Sequence, residues 1–117
     1  MFHKINRMKE KTEYEMKHVP LIECKDSTKP DEFFNVRIST NAPHPMEKDH
    51  FIQWIELFVG PVFLGRAEFT QFTKPDVTFV VKAPSPGHGD YTLRALLRCN
   101  LHGVWENTKK IRMKSEK

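Results

Sequence analysis

The sequence has few of the residues that staple or anchor a small protein. Its 117 residues include only two cysteines, Cys24 and Cys99, so a disulfide framework is excluded. It contains no CxxC motif and no cysteine before Cys24. The longest nearly apolar run, 57–65, is far too short to span a bilayer, and the start has no apolar signal segment. We therefore expect a cytoplasmic protein with no membrane partner, whose cysteines act as thiols.

The chain also lacks a strong charge bias. Lysine and arginine outnumber the acidic residues by 19 to 15, which leaves a net charge of +4. Several of the cations fall in what the sequence suggests are two solvated tails: Lys9, Lys11, Lys109, Lys110, Arg112, Lys114 and Lys117. Basic residues are not interleaved with aromatic residues in a nucleic-acid-binding pattern, so no nucleic-acid partner is expected.

Length and composition favour one globular domain. Hydrophobic residues make up 38% of the chain, and nine phenylalanines can supply much of a core. Residues 1–14 are polar and highly charged, with little helical periodicity, which predicts an extended or partly ordered N-terminal arm. Residues 15–117 are predicted to form the single domain.

Alternating apolar and polar residues predict a sandwich of short strands. Period-two patterns rich in β-branched and aromatic residues occupy 34–39, 51–59, 77–82 and 93–99, and Leu21-Ile22 resembles a strand entering the core. Proline and glycine turns separate these segments. No stretch has the capped, ten-residue amphipathic pattern of a βαβ unit. The sequence therefore predicts an all-β fold and disfavours a parallel α/β sheet.

One thiol and four imidazoles lie in three short motifs that could enclose a single transition metal. Cys99 and His102 form a CxxH pair, His44 and His50 flank a proline-stiffened loop, and His18 precedes a predicted strand. Each motif alone has an ordinary explanation, because CxxH pairs are common and single loop histidines are more often structural than ligating. His3, His88 and Cys24 are poorer candidates and are left out.

The three motifs together resemble a known family. KHVPLIE, HPMEKDHFIQWIEL and CNLHGVWE, in this order, are similar to the superoxide reductases, which include neelaredoxin and the C-terminal domain of desulfoferrodoxin. The resemblance covers about residues 17–106. It implies a seven-stranded immunoglobulin-like β-sandwich with a mononuclear iron site in loops at one end.

The resemblance also implies a reaction and a ligand set. Four histidines would surround Fe(II) in a square plane, Cys99 would bind axially, and the sixth position would face solvent; the histidines are His18, His44, His50 and His102. Superoxide would be reduced there to hydrogen peroxide, and Lys17 would attract the anion and help deliver a proton. The expected electron donor is rubredoxin-like. One iron per chain is expected, in a homotetramer, with a dimer as the alternative.

One position departs from the family pattern. The family has a glutamate directly before the lysine of KHVP, where it is expected to bind ferric iron after turnover, but here that position is Met16. Glu15 and Glu47 are the candidates to replace it. A shift of one residue in an extended segment would turn Glu15 to the opposite face.

Two other kinds of metal site compete with this interpretation. A non-catalytic, cupredoxin-like copper electron carrier also uses cysteine and histidine in a β-sandwich, but such sites use two histidines rather than four. A structural zinc site would not need five ligands. Metal analysis with the visible spectrum of the oxidised protein distinguishes iron, copper and zinc.

Overall fold

The computed structural model describes residues 4–115, which form nine strands and one short helix. In chain order the elements are β1 (Ile5–Asn6), α1 (Glu13–His18), β2 (Pro20–Glu23), β3 (Ser27–Thr28), β4 (Phe33–Thr40), β5 (Ile52–Val59), β6 (Val62–Glu68), β7 (Val77–Lys82), β8 (Tyr91–Cys99) and β9 (Gly103–Met113). Seven of these strands have four or more residues. In the described part of the chain no helix is long and apolar enough to cross a membrane.

The strands form two sheets that enclose one core. The larger sheet has the order β1-β9-β8-β5-β6, with β3 also paired to β9, and the smaller sheet has the order β2-β4-β7. Alternate side chains of both sheets point inward, as the period-two patterns predict. Fully buried Val36 and Ile38 of β4 belong to the same cluster as Ile55, Leu57 and Leu97 of the larger sheet. The predicted all-β sandwich is confirmed.

Two long strands were not predicted from the sequence. β6 pairs with β5 through a hairpin at Gly60, but its side chains are mostly exposed, so it lacks an inward apolar pattern. Gly65 in β6 lies under the Phe79 ring, and an added Cβ would stand 2.8 Å from that ring. β9 is the longest strand of the described chain and pairs with β8 from Gly103 to Ile111, and its last two residues pair with β3. Lys109, Lys110 and Arg112 therefore lie in a sheet, which corrects their assignment to a tail.

The segment predicted as an N-terminal arm is docked on the larger sheet. Ile5 and Asn6 pair in parallel with Val104 and Trp105 of β9. Helix α1 begins at Glu13, so the boundary placed after residue 14 falls inside a helix. A helix of six residues is too short for a period-3.6 pattern, and for this reason hydrophobic periodicity does not reveal it.

A buried carboxylate fastens this segment to the sheet and makes stability depend on pH. Glu106 is 5% exposed and accepts hydrogen bonds from Arg7 and Arg94. Burial raises the pKa of Glu106, but the two guanidinium groups lower it by more, so the net pKa is below the ordinary value. A carboxyl with a lowered folded-state pKa stabilises the fold above its unfolded pKa of about 4.3 and loses this contribution as pH falls further.

We expect Glu106→Gln to lower the free energy of unfolding by about 2 kcal/mol at pH 7, because two charge-assisted hydrogen bonds are weakened. As the pH falls below about 4.3, where this carboxyl is protonated in the unfolded chain, the difference between the two proteins should shrink. Urea unfolding at pH 7 and pH 3.5 measures both values. A difference that is unchanged or larger at the lower pH would contradict this account of Glu106.

Candidate metal centre

The predicted ligands come from three connections at one end of the sandwich. His18 ends helix α1 directly before β2, His44 and His50 lie between β4 and β5, and Cys99 and His102 bound the turn between β8 and β9. Pairing brings these connections together, because Pro20 at the start of β2 pairs with Thr40 at the end of β4, and Cys99 pairs with Ile52. The fold thus gathers residues that are up to 84 positions apart.

Four imidazole rings form a closed square. The centroids of neighbouring rings are 4.8 Å apart for His18–His44, 4.7 Å for His44–His50, 5.0 Å for His50–His102 and 4.9 Å for His18–His102. Each ring is turned by 76–80° from its neighbours. The Nε2 atom of His18 lies 3.2 Å from His44 Nε2 and 3.1 Å from His102 Nδ1. The rings therefore direct nitrogen atoms at a common centre.

The tautomers set by the backbone leave lone pairs pointing at this centre. His18 Nδ1 donates to the carbonyl of Tyr14 at 2.7 Å, and His44 Nδ1 donates to the carbonyl of Pro45 at 2.7 Å. Both Nε2 atoms are then unprotonated in the neutral rings. Two lone pairs facing each other at 3.2 Å repel unless a cation lies between them.

A metal ion fits these nitrogen positions. Nitrogen ligands at about 2.1 Å from an ion and at right angles lie about 3.0 Å apart, close to the spacing of the His18, His44 and His102 nitrogens. His50 Nε2 is buried, and the described protein atoms offer it no hydrogen-bond partner. A buried polar atom without a partner is costly, and a metal ion would satisfy it. The donor set therefore fits a resident metal.

Cys99 supplies a sulfur at the same centre. Its side chain is fully buried, and its Sγ lies 3.6 Å from His102 Nδ1. The ligand atoms of His18, His44, His50 and Cys99 all lie within 4.8 Å of one another. Gly103 follows the turn with a φ of +81°, a left-handed conformation that glycine adopts without strain. The turn thereby directs Cys99 and His102 to one point.

Burial keeps the imidazoles neutral. Removal from water lowers the pKa of His44 to about 4, and it also lowers the pKa of His18. Neutral imidazole is the form that binds a metal. At neutral pH both rings are therefore ready to act as ligands.

Helix α1 positions His18 through its cap. Thr12 accepts a hydrogen bond from the Glu15 N–H, and the Glu15 carboxylate accepts one from the Thr12 N–H, which is a capping box. The same carboxylate accepts the N–H groups of Lys9 at 2.9 Å and Glu10 at 3.0 Å. These bonds, the Lys9 bond foremost, lower the pKa of Glu15. Glu15 therefore holds the loop before the helix.

Glu15 and Glu47 are the two candidates to replace the family glutamate, and their surroundings in the structure differ. In this structure the Glu15 carboxylate accepts hydrogen bonds from backbone groups of its own loop, which disfavours it as a metal ligand. Glu47 is exposed and forms a backbone bridge with His50 through two N–H···O bonds of 2.9 and 3.1 Å. Met16 is half-buried in the helix.

Asn100 joins two of the ligand-bearing loops, a role that sequence reasoning missed. Its Oδ1 accepts the N–H of Phe51 at 2.9 Å, its Nδ2 donates to the carbonyl of Asp49 at 3.0 Å, and its own N–H donates to the carbonyl of Phe51 at 3.2 Å. Asp49 and Phe51 flank His50, and Asn100 follows Cys99. One side chain thus fixes the His50 loop against the Cys99 turn.

Asn41 makes the corresponding link on the other side of the site. It donates through Nδ2 to the carbonyl of Val19 at 2.8 Å and so ties the loop that carries His44 to the residue after His18. Asparagine in a turn-like segment is an ordinary sequence feature, so the composition alone gave no sign of these two roles.

Two aromatic residues cover the same side of the square. Trp105 is 4% exposed, stacks on the His18 ring at 5.1 Å and donates its Nε1–H to the carbonyl of His102 at 3.0 Å. The Tyr14 ring lies 4.8 Å from His18 and 5.3 Å from His102. Both rings restrict the orientation of the imidazoles they touch.

Two of the residues that the sequence analysis left out of the ligand set lie in the described part of the chain, and neither belongs to the cluster. His88 is exposed in the 84–90 loop. Cys24 packs beside the hydrophobic core, and burial raises the pKa of its thiol. His3 lies outside the described residues. Lys17, the predicted substrate-attracting cation, adjoins His18 in helix α1 and lies 3.7 Å from Glu13 through its Nζ atom.

The structure brings four histidines and a cysteine together as a candidate metal site in loops at one end of a β-sandwich. The sequence profile of the desulfoferrodoxin family matches residues 10–108. The chain belongs to this family, and the resemblance inferred from its three motifs is confirmed.

Individual relatives agree with this assignment. A protein of Methanocaldococcus jannaschii with a provisional assignment as a superoxide reductase is 61% identical, over 92% of this chain and 92% of its own. Neelaredoxin of Megalodesulfovibrio gigas is 35% identical, over 84% of this chain and 88% of its own. The solved structure of the superoxide reductase (neelaredoxin) of Ignicoccus hospitalis superposes with a TM-score of 0.74, at 41% identity, over 83% and 81% of the two chains.

Proposed function

We propose that this chain is a superoxide reductase whose iron is held by the imidazoles of His18, His44, His50 and His102 and by the Cys99 thiolate. The square of four imidazoles, with unprotonated nitrogens facing one another beside a buried sulfur, carries the proposal. Bound iron supplies the electron that, with two protons, converts superoxide to hydrogen peroxide. The family and its named relatives support this reaction.

The ligand set favours an anionic substrate. Four neutral imidazoles and one thiolate leave a formal charge of +1 on a ferrous site and +2 on a ferric site. Superoxide is therefore attracted electrostatically. The Cys99 thiolate would hold the metal and supply it with electron density, and its side chain is fully buried away from water.

Metal analysis with visible spectroscopy tests the iron assignment. We expect about one iron per chain and, in the oxidised protein, a thiolate-to-iron charge-transfer band. Stoichiometric copper with its own thiolate band would favour a cupredoxin-like electron carrier. A colourless protein with zinc would favour a structural site. Either result would contradict the proposal.

Lys17 is proposed to attract superoxide and to help deliver a proton to the product. It neighbours the ligand His18, and its side chain is 39% exposed, with a salt-bridge partner, Glu13, that is 85% exposed. A solvent-exposed salt bridge is weak, so it hardly restricts the position of the Lys17 ammonium group. The ammonium group is therefore available to an incoming anion.

Lys17→Ala should lower the second-order rate constant for superoxide about tenfold at low salt and flatten its dependence on ionic strength, because a cation near the site steers the anion. Stopped-flow mixing with superoxide measures both quantities. Lys82→Ala, which removes an exposed cation from the end of β7, is the matched control and should change the rate little. Equal effects of the two substitutions would contradict the role of Lys17.

Met16 should leave superoxide reduction intact despite the missing glutamate, because a ligand that binds only the ferric product is not needed for electron transfer to the substrate. Without it, the ferric site should hold water or hydroxide and respond more strongly to added azide than the Met16→Glu variant does. Azide titration of the visible band compares the two proteins. A superoxide rate raised tenfold or more by Met16→Glu would refute this expectation.

The finer partner assignments rest on the family. A rubredoxin-like protein is proposed as the electron donor. A homotetramer is proposed as the assembly, with a dimer as the alternative. Residues 15–117 are proposed as the functional domain, to which the preceding segment contributes β1 and the start of α1.

A further inference from the structure

Tyr14 is an exposed ring in contact with two of the proposed metal ligands. About half of its surface, 49%, is open to solvent. Its ring lies 4.8 Å from the His18 imidazole and 5.3 Å from the His102 imidazole, measured between centroids. The reaction with superoxide as derived above gives this ring no role. It is nevertheless a direct aromatic contact between the surface and the metal centre.

Trp105 extends this contact beneath the surface. Its indole ring lies 5.5 Å from Tyr14 and stacks on His18 at 5.1 Å with an interplanar angle of 20°. Its Nε1–H donates to the carbonyl of His102. Electron tunnelling falls steeply with distance and is faster through packed and hydrogen-bonded atoms than through water. Tyr14 and Trp105 therefore form a short electron path from solvent to two ligands.

A basic groove adjoins this path. Its volume is about 430 Å³, and Tyr14 and Trp105 line it together with three cations and two carboxylates: Lys4, Arg7, Lys9, Glu10 and Glu15. Arg7 is bound to Glu106, so Lys4 and Lys9 are the cations of the lining that can meet a partner. Residues 4–17 contain five lysines or arginines and three glutamates, so this segment carries +2 of the chain's net charge of +4. Of the two carboxylates in the lining, Glu15 is occupied by three backbone N–H groups, which leaves the exposed Glu10 against Lys4 and Lys9. The groove is thus suited to a negatively charged partner.

We propose that this face, formed by Lys4, Lys9, Tyr14 and Trp105, is where an acidic one-electron donor protein docks and passes its electron to the metal. The inference rests on the proposed function. In the step, the donor is oxidised by one electron and the ferric centre is reduced to ferrous, with no bond or proton transferred. Transient electron-transfer complexes use small interfaces, so a single groove with a basic rim is sufficient.

Charge reversal tests the docking site. Oxidised, iron-loaded protein is mixed with a reduced rubredoxin of net negative charge or, separately, with ascorbate. Lys4→Glu combined with Lys9→Glu should lower the ratio of the rubredoxin rate constant to the ascorbate rate constant at least about tenfold at low salt, because charges at the rim of an interface act on association. The rubredoxin rate constant should also depend less on ionic strength.

The matched control reverses two charges at the opposite end of the sandwich. Lys82 and Lys110 are exposed and pair with Phe33 and Thr92, far along their strands from the ligand-bearing loops. Lys82→Glu combined with Lys110→Glu alters the net charge by the same amount, and we expect it to change the ratio less than about threefold. An equal fall in both double variants would overturn the docking site.

Substitutions of Tyr14 test the electron path. At saturating rubredoxin, the ferric centre of the Tyr14→Phe variant should be reduced at nearly the wild-type rate because the ring remains. Reduction of the Tyr14→Leu variant should be about tenfold slower. The visible spectrum reports whether the metal centre is preserved. A Tyr14→Leu variant with a wild-type spectrum and a wild-type rate would refute the path. Reduction of the metal centre by the donor is measured in the absence of superoxide, so this test is independent of the proposed function. A protein that is reduced by the donor but does not react with superoxide would refute the proposed function alone.

Discussion

Cys99→Ser should abolish superoxide reduction, with a rate constant at least about 100-fold below that of the wild type, because loss of even an outer partner of a metal ligand typically costs 10–100-fold. The serine hydroxyl is not ionised at neutral pH and does not replace the electron density that a thiolate donates. The visible charge-transfer band of the oxidised protein should disappear with the sulfur. Stopped-flow kinetics and absorption spectroscopy measure the two effects on one preparation.

Cys24→Ser is the matched control for the loss of Cys99. Cys24 is the only other cysteine of the chain, and it packs beside the core rather than at the metal centre. Its replacement should leave the band and the superoxide rate unchanged. Because Cys99 is fully buried, thermal unfolding of the Cys99→Ser variant checks that the fold survives. A folded Cys99→Ser protein that keeps the band would contradict the ligand assignment.

Asn100→Ala should weaken iron binding by about 10- to 100-fold, the range found when a group that orients metal ligands is removed. The substitution removes both side-chain bonds that hold the residues flanking His50, at 2.9 and 3.0 Å. His50 and Cys99 would then no longer be fixed relative to each other. Iron retention during competition with a chelator measures the loss.

Two further variants serve as comparisons for Asn100→Ala: Asn100→Asp is an intermediate case, and Asn35→Ala is the control. The aspartate keeps an acceptor for the Phe51 N–H but cannot donate to Asp49, so it should lie between the wild type and Asn100→Ala. Asn35 is exposed on β4, and its replacement should not affect iron retention. If Asn100→Ala held iron as firmly as Asn35→Ala does, its positioning role would be excluded.

The proposed ligands could be picked out from the sequence because metal binding depends on particular residue types. Histidine and cysteine are uncommon, and His18, the His44–His50 pair and the Cys99–His102 pair fall in motifs that resemble a specific family. Strands with an inward apolar face, such as β4 and β7, were predicted to within one residue at each end. Period-two burial is a local signal, so it can be read without knowledge of the partner strand.

Features that depend on distant partners could not be predicted in this way. β6 and β9 have few strictly alternating apolar residues, and pairing with β5 and β8 determines them. Asn100 and Trp105 gain their roles only when Phe51 and His18 are brought beside them. Glu15 shows the converse case. Its place one residue before Met16 made it a candidate replacement for the family glutamate, but its hydrogen bonds place it in a helix cap.

The central claim is that the His/Cys centre reduces superoxide rather than disproportionating it. Stopped-flow mixing of the fully reduced protein with superoxide, followed by assay of hydrogen peroxide and oxygen, tests this most directly. We predict rapid oxidation of the metal with one hydrogen peroxide formed per superoxide consumed and no release of oxygen. Release of one oxygen for every two superoxide ions would identify a dismutase and contradict the account.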